Sequence, residues 1–125
     1  MGKICIISNN SLALAKYAPF TVNVAGDVAA VFCEARDRIH RGAKLINHPL
    51  SGSIKPNQSP YKSLVLSDKE EKTVDLASLT HIEEALAVLA KLTVLRQDYN
   101  DAVHEDFKVI DLDLLDEAMK RTINN

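Results

Sequence analysis

Hydrophobic and polar positions alternate along this chain with two periods, and the changes of period mark its elements. The run KICIIS, 3 to 8, is short, β-branched and apolar on successive positions, as in a strand buried on both faces. SNNS ends it, 11 to 17 suit a short helix, and FTVNV, 20 to 24, alternates like a second strand at an edge. From Asp27, an N-cap residue, Val28, Val31, Phe32, Ala35 and Ile39 recur with the helical period, and Gly42 stands where a helix C-terminus favours glycine. Glu34 with Arg38, and Asp37 with Arg41, set acid before base at i,i+4 on its outer face.

AKLIN, 43 to 47, reads as another short strand, and YKSLVLS, 61 to 67, as a buried one. Thr80 and Glu83 make a capping box before a helix whose apolar residues, from Ile82 to Leu95, fall on nearly every side. QDYNDAVHED is a polar connection and FKVID, 107 to 111, a last strand. LDLLDEAMKR forms a final amphipathic helix with Leu112, Leu115, Ala118 and Met119 inward. Strands separated by helices, without tight Asn-Gly or Asp-Gly hairpins, predict one α/β domain over 1 to 125. Its expected form is a three-layer sandwich with a short, mostly parallel sheet of four to five strands flanked by helices.

Composition narrows the function classes. A chain of 125 residues with 46% hydrophobic and 26% charged residues can bury one ordinary core. A net charge of -2 supplies no global basic field, so nucleic acid is not an expected partner. KICIIS is far too short for a signal-peptide core or a membrane span, so a cytoplasmic location is expected. Cys5 and Cys33 have no CxxC spacing, and His81 and His104 lack companions at ligand spacing, so neither a metal site nor a cofactor is expected.

The candidate chemistry lies in an irregular stretch, NHPLSGSIKPNQSPYKS, 47 to 63, which holds three of the four prolines. Loops this long in small domains are generally functional or disordered. Here Pro49, Pro56 and Pro60 fix their own φ and bias His48, Lys55 and Ser59 to extended backbone, so the loop has little freedom to lose. Ser51, Gly52, Ser53 and Lys55 offer hydroxyls, free N–H groups and one ammonium, which suits a carboxylate or phosphate, while Ser51, Ser53, Asn57 and Ser59 also satisfy loop backbone. Ser-Gly-Ser is equally a common turn, and the spacing of a Walker A loop is absent.

Ligands of open parallel α/β sheets sit beyond the carboxyl ends of strands. Asn9 and Asn10 end one expected strand, and Asn47 and His48 another, so they converge with the loop if those strands are neighbours. His48 has the titration range of a catalytic acid or base, or serves the loop backbone. Cys33, Arg36, Asp37 and His40 share one helix stripe, which suits a site wall, an interface between two copies in a homodimer, or a solvated face.

The run RDRIHRGAKLINHPLSGSIKPNQSPYKS, Arg36 to Ser63, together with SNNS, resembles the signature of the GrdX family. These are small proteins encoded beside components of glycine, sarcosine and betaine reductase in amino-acid-fermenting anaerobes. The matching positions include Asn9, Asn10, Arg36, His40, His48, Ser51, Gly52, Ser53, Lys55, Asn57 and Tyr61. The chain departs from the family pattern at Ala43, often histidine, and at Ser11, often proline. The resemblance implies an accessory role beside a reductase system that yields acetyl phosphate, with reductase components as partners, and it implies no mechanism.

Three functions are therefore expected as alternatives. The first is an accessory protein binding a small anionic metabolite or a reductase component through 47 to 61, with Asn9, Asn10, Ser51, Gly52, Ser53, Lys55, Asn57 and Tyr61 at the site and Arg36 and His40 bracing it. The second is a small enzyme on a phosphate- or carboxylate-bearing metabolite with His48 as catalytic acid or base. The third is a pure protein-docking module.

Overall fold

In the computed structural model, which describes residues 4–51, 58–67, 72–92 and 98–124, the first apolar run forms strand β1, Ile4–Ser8. A helix α1, Ser11–Lys16, and a 3-10 turn at Ala18–Phe20 lead to β2, Thr21–Asn23. β2 lies parallel to β1, with Ile7 opposite Val22. On its other side β1 pairs antiparallel with β3, Ser63–Ser67, placing Cys5 opposite Leu66 and Ser8 opposite Ser63. β1 is thus central in the order β2-β1-β3, which is why it is apolar on both faces.

The period of two divides its side chains between two cores. Cys5 and Ile7 join Leu64 and Leu66 beneath α2, Val28–His40, and α3, Leu76–Lys91, against Val31, Phe32, Ala35, Ile39, Ile82 and Ala85. On the opposite face, Ile6 and Val65 meet Ala13 of α1 and Leu115, Ala118 and Met119 of α4, Asp101–Asn124. Phe32, Ile6 and Ile7 are fully buried, each worth about 1.5–3 kcal/mol of transfer free energy.

α2 starts and stops where its sequence directs. The Asp27 carboxylate accepts the Ala30 N–H at 2.9 Å, and Glu34 pairs with Arg38 at 3.0 Å. At the other end the Gly42 and Ala43 N–H groups bond back to Ile39 and Arg38, each at 3.0 Å, with Gly42 at φ 107°. That is the Schellman arrangement, which favours glycine at this position.

The expected three-layer sandwich on a mostly parallel sheet of four or five strands does not form. Among the described residues the sheet has three strands in mixed directions, and most of those residues are helical. AKLIN fails as a strand because Asn47 intercepts its partner. Leu45 makes one bridge to Leu66, then the Asn47 side chain accepts the Val65 N–H at 2.8 Å and donates to the Ser63 carbonyl at 3.3 Å. FKVID lies inside α4, which begins upstream, where the Asn100 side chain accepts the Val103 N–H at 2.9 Å. α3 starts earlier than Thr80 because the Asp75 carboxylate accepts the Ser78 N–H at 3.1 Å and its hydroxyl at 2.6 Å. Among the described residues no helix is long and apolar enough to cross a membrane.

Candidate functional site

The carboxyl end of β1 meets the start of β3 and the middle of α4 in a buried polar cluster. The Asn10 N–H donates to Ser8 Oγ at 2.9 Å, Ser8 and Ser63 hydroxyls lie 2.8 Å apart, and Ser63 Oγ donates to Asp111 Oδ2 at 2.7 Å. With the Ser63 proton directed at the carboxylate, the Ser8 proton points to Ser63, and the three bonds align in one direction.

Asn10 closes the ring. Its Oδ1 caps α1 by accepting the Leu12 N–H at 3.0 Å, and its Nδ2 donates at 2.9 Å to both the Lys108 carbonyl and Asp111 Oδ2. One amide orientation satisfies all three partners, since Leu12 needs an acceptor and the other two need donors.

Asn9 holds the loop. Its Nδ2 donates to the Gly26 carbonyl at 3.0 Å and the Pro60 carbonyl at 2.8 Å, while its Oδ1 accepts the Lys62 N–H at 2.9 Å. The returning leg is also fixed to α4 and the residues before it: Tyr61 Oη lies 2.8 Å from His104 Nδ1, and the Tyr99 hydroxyl donates to the Gln58 carbonyl at 2.9 Å. The outgoing leg folds into a turn in which His48 Nδ1 accepts the Leu50 N–H at 3.1 Å and the Ser51 hydroxyl donates to the His48 carbonyl at 2.9 Å.

Between these legs and α4 lies a cavity of about 220 Å³, lined by Asn47, Ser51, Lys62, Ser63, Asp111, Glu117 and Arg121 over an apolar floor of Leu114 and Ala118. A smaller space of about 30 Å³ adjoins it, bounded by Pro49, Leu50, Tyr61 and Ile110, and shares Ser51, Lys62, Asp111 and Leu114. Burial pushes the Asp111 carboxyl above the usual aspartate value, opposed by the hydrogen bonds from Asn10 and Ser63 and by the Lys62 charge. Burial lowers Lys62 from the usual lysine value, opposed by the charge of Asp111. Two largely buried groups of opposite charge, both shifted toward neutrality, border one cavity, which is a common feature of functional sites.

The residues singled out from sequence divide into three groups. Ser51 and Tyr61 border these cavities, and Asn9 and Asn10 bond to two residues that do, Lys62 and Asp111. Arg36 and His40 do not: along α2 they stand about 12 and 18 Å from Val28, which borders the smaller space. Arg36 instead pairs with Glu83 of α3 at 3.3 Å, and His40 is exposed. His48 is exposed, with its ring 4.9 Å from that of His81, and borders neither cavity. Gly52, Ser53, Lys55 and Asn57 lie outside the described residues.

Asp111, Lys62, Ser63 and Arg121 were not singled out. A signal for Asp111 was present: continued backward by one turn, the inward stripe of Leu115, Ala118 and Met119 reaches it, so a carboxylate occupies a core position.

Comparison with curated proteins gave no match, and neither did comparison with solved structures. The model of the GrdX-like protein family matches residues 5–120, which includes all of β1 but Ile4, the loop and the part of α4 that carries Asp111. The chain therefore belongs to the GrdX-like protein family.

Proposed function

We propose that this chain is an accessory protein of the glycine, sarcosine and betaine reductase system that binds a small anionic ligand in the crevice between the 47–62 loop and α4. Family membership supports the setting. The observation that carries the ligand class is the pair of cations, Lys62 and Arg121, bordering one cavity. Neither cation has an ion-pair partner within 4.0 Å among the described residues. Lys55, on the sequence pattern, adds an ammonium from the loop.

The test is a thermal-shift series with phosphate, acetyl phosphate and acetate on wild type, Lys62→Met, Arg121→Gln and Lys55→Ala. A ligand at 100 times its Kd adds about 2.7 kcal/mol, on the order of 10 °C for a domain of this size. Shifts present in wild type and lost in Lys62→Met support the site; equal shifts in all four proteins refute it.

A second reading, docking of a reductase component, draws on the exposed apolar residues Val109, Ile110 and Leu114 beside the crevice. Purified components retained by wild type and released by Ile110→Glu would favour it. Equal retention by both would count against this face.

A further inference from the structure

We propose that the ligand of this cavity is a small zwitterion, its anionic group meeting Lys62 and Arg121 and its ammonium meeting the free face of the Asp111 carboxylate. The inference rests on the anion reading above and sharpens it.

Asp111 is 5% exposed and borders both cavities. Its Oδ2 takes the side-chain hydrogen bonds of Asn10 and Ser63, the Ser63 backbone N–H also stabilises the carboxylate, and among the described residues no side chain donates to Oδ1. A buried carboxylate whose described side-chain donors all converge on one oxygen keeps acceptor capacity on the other, which a donor in the cavity would use.

Lys62 does not serve that oxygen. It borders the same spaces, yet no Lys62–Asp111 ion pair within 4.0 Å forms, and Lys62 Nζ donates to the Ser51 carbonyl at 3.3 Å. Arg121 and Glu117 repeat the pattern at the other end of the cavity: both border it, and Glu117 is paired instead with Lys120, at 3.6 Å. The lining is therefore bipolar: both signs border one space, and among the described residues no ion pair joins them across it.

A plain anion would satisfy Lys62 and Arg121 while leaving its remaining atoms against Asp111 and Glu117, at an electrostatic cost. A molecule with an ammonium a few bonds from its carboxylate answers both signs. Size agrees: a cavity of about 220 Å³ holds about seven waters at liquid density. That is the bulk of a small amino acid.

The experiment is calorimetric titration of the full chain at neutral pH with glycine, β-alanine and 4-aminobutyrate, each against its deaminated counterpart, acetate, propionate or butyrate, with phosphate as a further anion. At least one zwitterion should bind ten times or more tighter than its counterpart. A preference below tenfold across the series overturns the inference while leaving the anion reading standing; no binding by either series or by phosphate removes both. Asp111→Asn keeps an oxygen for Asn10 and Ser63 and turns a nitrogen toward the cavity, so it should abolish the preference, and a retained preference overturns the assignment to Asp111. Arg121→Gln, an exposed change, should weaken zwitterion and carboxylate alike by tenfold or more. Unchanged affinity for both would overturn the anionic half of the assignment.

Discussion

The amide of Asn10 donates at 2.9 Å to the Asp111 carboxylate, 101 residues further along the chain, and both side chains are buried. One side chain thus caps α1, fixes α4 across the sheet and half-satisfies the cavity's carboxylate. Asn10→Ala should cost about 2–4 kcal/mol, from the lost cap and an under-bonded buried carboxylate. Asn100→Ala removes only the exposed cap of α4 and should cost about 1 kcal/mol. Urea unfolding of both variants checks the contrast, and equal losses would refute the role given to Asn10.

Asp111 makes stability depend on pH in a defined direction. Its folded value is raised, so its contribution is complete below the unfolded aspartate value of about 3.9 and declines as pH rises through the folded value. Asp111→Asn lacks this titration, and its melting temperature should gain on wild type by a few degrees between pH 4 and pH 7. Parallel melting curves across that range would show that Asp111 titrates as an ordinary surface aspartate.

Anion affinity should fall with rising pH earlier than a surface lysine would allow. Lys62 must be charged to hold an anion, and burial lowers the pH at which it loses its proton. In Lys62→Arg the guanidinium stays charged, so the fall with pH should vanish. Phosphate titrations of both proteins from pH 7 upward decide this, and identical profiles would remove Lys62 from the site.

Gly26 stands at φ 140°, and a Cβ there would meet the Ala30 Cβ at 3.0 Å. Its carbonyl also accepts the Asn9 side chain, so strain at 26 reaches the loop. Gly26→Ala should cost about 1–3 kcal/mol in thermal or urea unfolding, with anion affinity falling alongside as Asn9 loses its partner. Wild-type stability in this variant would contradict the backbone conformation described.

Legibility from sequence followed the strength of the local signal. β1 was readable from a short run apolar on successive positions, β2 from alternation, and α2 from a five-residue helical stripe that begins at its cap, Asp27. Phe107 to Asp111 misled because Val109 and Ile110 look like strand residues, yet in α4 they are 48% and 39% exposed. Tertiary placement, with Asn100 starting the helix and Asp111 anchored to Asn10, overrode β-propensity there. Near the cavity, Asn9 and Asn10 were picked out from sequence because they end β1, and the adjoining loop because its prolines interrupt both periods. Lys62, Ser63 and Arg121 were not, because no local pattern encodes the meeting of β3 with α4, and Asp111 showed only as a carboxylate on the inward stripe of that helix.

Asn47 gives the loop a clasp of its own. By taking the Val65 N–H and the Ser63 carbonyl with one side chain, it joins the two ends of the loop on β3 itself, so the sheet is complete whatever lies between. The closure entropy of such a loop grows slowly, by about 0.6 kcal/mol for each doubling of its length. Residues between the clasp and Lys62 can therefore be lengthened, shortened or exchanged without disturbing strand register. The register of the sheet is thus set by residues outside that stretch, so the loop can vary in length and content while the fold that presents it stays the same.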